Sequence, residues 1–418
     1  MKILLSHPTG NANVRAVAAG LLEANLLKEY YTSIASFPGG ILDLLARLGP
    51  LKELKRRSYH PDFKSRTQTW PWLEFGRLIA SKVGLNELIA HERGLFCIDA
   101  VYRQLDKRIA SKLNSYVNQS LGVYSYEDGA QYSFSRAKLL GMHCFYDLPI
   151  GYWKSARSLL KHEMERKPEW AATLTGFSDS VEKLQRKDEE LSLADRIFVA
   201  SRFTAETLSS FSSRLAPVEV IPYGFPPVCS DRIYSKDLSA PLKLLFVGGL
   251  SQRKGIADLF SVVEKLSKYV QLTVVGNKVT PDCRPLDKAL SKHVWIPSLS
   301  NVAILSVMRA HDVLVFPSLF EGFGLVITEA MSQGTPVITT ERTAGPDLIS
   351  HGENGWIIKA GSEEALLNSI EHLLINRRSV AEVGRQAAET AKQRPWSTYG
   401  RELAGAIEKH FHSPFEIK

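Results

Sequence analysis

Short apolar runs rich in Val, Ile, Leu and Phe alternate along the chain with longer stretches of mixed polarity. That alternation predicts parallel sheets covered by helices on both faces. In the first half the strand-like runs fall at residues 2–6, 122–126, 142–146, 196–200 and 218–221, with helical segments between them. Ser201 follows the fourth run and opens R-F-T-A-E-T-L-S-S-F, the position and residue type of a helix N-cap. After Ile221 the chain reads P-Y-G-F-P-P-V-C-S, which neither a helix nor a central strand tolerates. A second series follows at 242–247, 272–275, 294–296, 313–316, 336–339 and 356–358. The expected fold is α/β, with two doubly wound Rossmann-like domains at residues 1–222 and 223–395 and a terminal helix over 396–418, opened near Pro395. Ligands of such sheets bind at the carboxyl ends of the strands, so two mouths can face each other across a cleft.

Composition adds limits. The 418 residues exceed one ordinary domain. An apolar share of 44% with 23% charged residues is that of a globular protein and excludes disorder. Four cysteines without a C-x-x-C pair exclude a disulfide framework and a thiolate zinc site, and fit a reducing compartment. The N-terminal M-K-I-L-L-S-H-P turns polar at Ser6, too early for a secretory leader, and reads as a buried strand. No apolar run approaches membrane-spanning length, so the expected location is cytoplasmic, soluble or peripheral at a membrane.

The net charge is +8, and residues 41–112 hold fourteen Lys and Arg against eight Asp and Glu. Such a patch suits an anionic membrane surface or a phosphorylated substrate, and a solvated helical surface accounts for it equally well. Its segments L-L-A-R-L-G-P-L-K-E-L-K-R-R and T-W-P-W-L-E-F carry basic and aromatic faces suited to membrane docking. No nucleic-acid partner is expected.

The most informative segment is F-P-S-L-F-E-G-F-G-L-V-I-T-E-A-M-S-Q-G-T-P-V-I, residues 316–338. It predicts a buried strand, a loop holding Glu321, a helix from about Gly324 and a further strand. Gly322 and Gly324 allow the backbone to approach a ligand, and the amides of Phe323, Gly324 and Leu325 open the helix as an anion site. Glu329 lies about 7 Å further along the helix axis. One carboxylate at each end suits a ligand with a sugar, a phosphate and a second sugar in line. A capping role for Glu321 and a surface role for Glu329 are the plain alternative. A second element, G-G-L-S-Q-R-K-G at 248–255, follows a strand and delivers two adjacent cations, Arg253 and Lys254, as a departing diphosphate requires.

The order of strand, glycine turn, K-G, then E-G-F-G-L-V-I-T-E with seven residues between the glutamates, then G-T-P-V-I and H-G-E-N-G-W, resembles the donor domain of family-4 retaining glycosyltransferases of the GT-B fold. The likeness covers about residues 242–360. It implies that Glu321 binds hydroxyls of the transferred sugar and that the amides of Phe323 to Leu325 hold its hydroxyls or the diphosphate. It further implies that Glu329 takes the ribose hydroxyls and that Lys254 with Arg253 stabilises the leaving group. It implies no metal and no cofactor beyond a nucleotide-diphosphate sugar as co-substrate. The sequence departs from the family pattern in two places: Gly249 stands after Gly248 where the family usually has arginine, a charge Arg253 would supply, and Gly345-Pro346-Asp347 alters a G-x-x-E.

The first half is less similar to the family, as an acceptor-binding domain would be. The resemblance points to Gly10 and Asn11, in S-H-P-T-G-N-A-N-V-R, as a loop against the donor phosphates and the acceptor, although a plain strand-to-helix turn reads the same. In C-F-Y-D-L-P-I-G-Y-W, Asp147 keeps the acidic residue of a His-Asp pair and is a catalytic candidate, while Tyr146 replaces the histidine. Tyr126, Glu127 and Asp128 end a strand and should face the cleft. The histidines lack ligand spacing, and Trp396 would anchor the terminal helix on the first domain. The expected activity is transfer of a sugar, with retention, to a saccharide or lipid-linked acceptor, in the synthesis of cell-surface polysaccharide or glycolipid. A nucleotide-sugar epimerase and a silent nucleotide-sugar-binding subunit are the competing readings.

Overall fold

The computed structural model describes residues 2–45, 56–117, 119–235 and 237–412. Two parallel sheets organise them. The first is built from β1 (Lys2–Ser6), β2 (Leu27–Thr32), β3 (Thr67–Thr69), β4 (Leu121–Tyr126), β5 (His143–Leu148), β6 (Arg196–Val199) and β7 (Val218–Val220), in the order β3-β2-β1-β4-β5-β6-β7. The second holds β8 (Leu242–Val247), β9 (Val270–Val275), β10 (Val294–Ile296), β11 (Val313–Phe316), β12 (Val337–Thr340) and β13 (Trp356–Ile358), in the order β10-β9-β8-β11-β12-β13. Helices cover both faces, as the alternating pattern predicts.

All eleven strand-like runs form strands, and two further strands, β2 and β3, lie where the pattern predicts helix. In β2 the charged Lys28 and Glu29 interrupt the apolar pattern, yet Tyr30 and Tyr31 are buried and Glu29 accepts the Tyr31 and Tyr116 hydroxyls at 2.6 and 2.7 Å. The edge strand β3, T-Q-T, has no apolar residue and pairs on one side only. Ser201 caps helix Arg202–Thr207, accepting from the Thr204 amide at 3.1 Å.

In each sheet the direction of winding reverses beside the first strand, between β1 and β4 and between β8 and β11. A crevice opens outside the carboxyl ends at such a point. The loops that leave β8 and β11 carry residues 248–255 and 317–324, so the two informative segments arrive side by side. Helix Trp396–His412 packs on Ala12–Glu23 of the first domain, where a methyl group on Gly20 would overlap the Gly400 carbonyl. Trp396 itself sits beside Tyr223 (ring centroids 5.9 Å apart) and Gly224.

Among the described residues no helix is long and apolar enough to cross a membrane. Part of the basic segment, residues 46–55, lies outside the described residues. In the neighbouring aromatic segment, Trp72 and Ile79 are exposed while Trp70 lies under the Arg108 guanidinium, 4.4 Å from its ring centroid.

Candidate active site

The loop after β8 folds into one 3-10 turn, Gln252–Lys254, capped by Ser251. The loop after β11 fastens it: the Leu319 amide donates to the Arg253 carbonyl at 2.8 Å, and the Arg253 guanidinium donates to the Phe320 carbonyl at 2.8 Å. These bonds bring Arg253 to 3.3 Å from the Glu321 carboxylate, and Lys254 forms an ion pair with the same oxygen while its ammonium lies 4.8 Å from the Phe316 ring centroid. Three of the expected site residues thus converge from loops 67 positions apart. Burial lowers the pKa of both cations, and for Lys254 the adjacent Arg253 guanidinium adds to the effect. Two cations against one carboxylate leave a positive surplus at Glu321, in the loop that leads into helix Leu325–Ser332.

Gly324 opens that helix with φ 89°, a conformation that favours glycine, and no side chain caps it. Phe323 is buried and its carbonyl accepts the Ala344 amide at 2.9 Å, while Leu325 is exposed. Gly322 is required by its contact with the first domain. A methyl group there would overlap the Pro149 carbonyl of the first domain, and its own carbonyl accepts from Ser201 at 2.6 Å and Thr204 at 2.9 Å. Glu329 stands further along the helix, and Asn301 donates to its carboxylate at 2.9 Å. Burial raises its pKa against that hydrogen bond.

Gly248 donates to the Val275 carbonyl at 2.9 Å. Gly249 is exposed, and the nearest atom to a Cβ at that position would be on Val279 at 3.6 Å, so packing leaves room for the side chain it lacks.

The first domain supports this loop from behind. Glu163 accepts from Gln252 at 2.6 Å, the Thr173 carbonyl and hydroxyl bind Ser251 and the Gln252 amide at 2.6 and 2.9 Å, and Arg166 pairs with Asp258. Asp347, in the altered G-x-x-E, is held 2.8 Å from Arg202 of the first domain. None of these supports carried a local signal, because each acts across the domain boundary.

In the first domain the candidates separate. Asp147 does not leave its strand but lies within β5, buried, and accepts the Tyr124 hydroxyl at 2.6 Å. Burial pushes its pKa up to about 7, with Tyr124 and Tyr126 pulling the other way. Its partners are tyrosines rather than the donor-loop cations. Tyr146 points to the opposite face of β5, into the core, and donates to Glu190 at 3.0 Å. Of the residues after β4, Glu127 pairs with Lys187 at 3.3 Å, and Asp128 lies between Lys183 and Arg186 at 3.7 and 3.5 Å.

His7 is a satisfied core histidine, accepting the amides of Thr9 and Gly10 at 3.1 and 3.0 Å and held neutral by burial, its pKa down at about 3. Gly10, at φ 61°, leaves space for the Tyr59 hydroxyl, which a methyl group would overlap. Gly10 and exposed Asn11 line a pocket of about 530 Å³ in their own domain. The next helix reaches the loop after β11 through Asn13, which donates to the Tyr223 hydroxyl at 3.4 Å, and the Tyr223 ring, centred 4.8 Å from Phe323.

Among the described residues one trio, His91, Glu92 and Asp179, offers metal-ligand atoms within 4.8 Å of one another. Lys183 and Lys187 already contact Asp179 at 3.0 and 3.5 Å, and no member belongs to the Glu321 cluster.

Residues 231–394 match the family model described as glycosyl transferases group 1. The capsular polysaccharide biosynthesis glycosyltransferase CapM of Staphylococcus aureus is 30% identical over 169 residues, 37% of this chain and 43% of the relative. The phosphatidyl-myo-inositol mannosyltransferase of Mycobacterium leprae is 28% identical over 171 residues, 40% of this chain and 46% of the relative. The chain thus spans under half the length of either. Among solved structures, sucrose-phosphate synthase from Thermosynechococcus elongatus superimposes with a TM-score of 0.66 at 16% identity, covering 98% of this chain and 99% of the other. Anabaena HepE in complex with UDP and glucose does so with a TM-score of 0.61 at 15% identity, covering 98% and 100%. Those two likenesses fix the architecture as GT-B, and the match over residues 231–394 makes the second domain similar to the group 1 glycosyl transferases.

Proposed function

We propose that this protein transfers a sugar from a nucleotide-diphosphate sugar to an acceptor hydroxyl with retention of configuration, in the synthesis of a cell-surface polysaccharide or glycolipid. The observation that carries the reading is the convergence of Arg253 and Lys254 on Glu321 at the start of helix Leu325–Ser332. A diphosphate laid across that helix start supplies a further anion to two half-buried cations that share one carboxylate. Glu321 then turns to the hydroxyls of the sugar, and Glu329, with Asn301 behind it, accepts the ribose hydroxyls. The bond between the anomeric carbon and the phosphate oxygen breaks with its electron pair on the diphosphate. The acceptor oxygen bonds to the same face, and its proton passes to the departing phosphate. HepE, solved with UDP and glucose, supports a nucleotide-sugar donor. Four free cysteines, three of them buried, support a cytoplasmic setting.

A metal-free screen of uridine-, guanosine- and adenosine-diphosphate sugars, with nucleotide release followed beside a Glu321→Ala control, tests the reading. Release from one donor that disappears in the control is the expected result. Conversion of a donor to its epimer, or tight binding without turnover in the presence of diverse acceptors, refutes it.

A further inference from the structure

The pocket beside Gly10 and Asn11 lies at the carboxyl end of β1, the cleft side of the first domain, and is walled by five cations: Arg15, Arg56, Arg57, Arg77 and Lys82. No carboxylate is among the described residues that line it. They come from three separate elements, the first helix Ala12–Glu23, the turn at 56–57 and helix Trp72–Lys82. Their positions are built rather than incidental. Glu74, fully buried behind the wall, receives Arg57 and binds Arg77 in a fork at 2.7 and 2.8 Å. Arg57 also donates to the Thr9 carbonyl in the glycine loop. Arg15 donates to the Arg56 carbonyl, and its guanidinium carbon sits 5.2 Å from the Tyr59 ring centroid. One buried carboxylate therefore orients two of the guanidinium groups, and among the described residues the wall carries more positive than negative charge. The first turn of helix Ala12–Glu23, whose N-cap Asn11 makes no side-chain cap, adds its amides to the same wall.

From this geometry we propose that the pocket binds a phosphate group carried by the acceptor, so that the acceptor is a phosphorylated compound. This rests on the transferase reading and extends it to the acceptor's chemistry. Guanidinium groups converging from several directions suit an anion with three or four acceptor oxygens, which a neutral saccharide does not offer. At about 530 Å³ the pocket has room for a phosphate and part of what it is attached to. The phosphate could be a lipid headgroup or belong to a soluble phosphorylated sugar, and both present the same oxygens to these side chains.

The test is a calorimetric titration of inorganic phosphate into Lys254→Ala protein, which removes the competing donor cation, with and without Arg15→Gln and Arg56→Gln. Arg57 and Arg77 are left in place because Glu74 depends on them. Phosphate affinity at least tenfold weaker in the combined variant, with an unchanged melting temperature, is the expected result, and the single Arg56→Gln variant should fall between. Equal affinity with and without the two arginines overturns the proposal. Sedimentation with phosphatidylcholine vesicles that contain phosphatidic acid, lost in the Arg15→Gln/Arg56→Gln variant, assigns the phosphate to a lipid. Arginine-dependent phosphate binding without sedimentation assigns it to a soluble acceptor. The transfer reading fails separately, if the wild-type protein releases nucleotide from no donor.

Discussion

The Ser201 hydroxyl donates to the Gly322 carbonyl at 2.6 Å, fastening the loop that carries Glu321 to the other domain one residue beyond the carboxylate. Thr204 makes a parallel bond at 2.9 Å. Ser201 also caps its own helix, whereas the Thr204 hydroxyl has no such duty. Thr204→Val should therefore lower kcat several-fold with little change in melting temperature. Ser201→Ala should lower both, with about 1–2 kcal/mol of stability lost with the cap and the bond. Kinetics and thermal melts of the pair decide, and equal destabilisation by both changes would contradict the division of labour.

Lys254→Ala removes the ammonium proposed to meet the diphosphate and leaves Arg253 beside Glu321. A fall in kcat of about 10²- to 10³-fold is expected, the usual cost of deleting one preorganised donor to developing negative charge. Steady-state nucleotide release reads it, and a change confined to KM would speak against leaving-group stabilisation.

Gly249 has room for a side chain. Gly249→Arg, which restores the residue common in the family, should tighten donor binding by roughly tenfold if Arg253 only partly replaces the missing charge, since one charge-assisted hydrogen bond contributes about 1.5–3 kcal/mol. Donor titration calorimetry measures it. Unchanged affinity would show that Arg253 already supplies the whole interaction.

Gly322→Ala drives a methyl group into the Pro149 carbonyl, so the loop or the facing domain must shift. Activity should fall by more than an order of magnitude while the second domain keeps its nucleotide affinity. Small-angle scattering should report a larger radius of gyration. A variant with the wild-type radius and activity would refute this account of the glycine.

Asp147 and Glu190 are buried carboxyl groups whose folded-state pKa values rise to about 7 and about 8, burial being the largest cause in each. In the unfolded chain both release their protons near about pH 4. Between those limits the folded state holds more protons than the unfolded one, so stability falls as pH rises through that window and levels off above about 8. Asp147→Asn, which keeps an acceptor for Tyr124, should flatten the decline between pH 5 and 8 and raise the melting temperature at pH 8. Parallel melting curves for variant and wild type would exclude the assignment.

The buried central strands were legible because strands covered on both faces read as unbroken apolar runs, as in K-L-L-F-V before Gly248 and V-L-V-F before Pro317. β2 and β3 were not, since pairing near a sheet edge lets Lys28, Glu29 and Gln68 stand in a strand. Glu321, Arg253 and Lys254 could be named from their local motifs, while the pairing of β8 with β11 that joins them came from the sheet order. Local sequence could not show that Gly322 faces Pro149, that Tyr146 turns into the core, or that Asp147 stays among tyrosines, because each depends on partners far along the chain. The basic pocket was half legible. The charge excess between 41 and 112 was plain, but its convergence with Arg15 around Glu74 needed the tertiary fold.

The close crossing of Ala12–Glu23 with Trp396–His412 bears on the order in which the chain can fold during synthesis. The second domain is continuous and can close once its own residues have emerged from the ribosome. The first must wait, with the apolar side of its leading helix uncovered, until a segment made after the whole second domain returns to it. The part made earliest is therefore completed latest, and a chain stopped short of Trp396 would leave that helix face open to chaperones or to other unfinished chains.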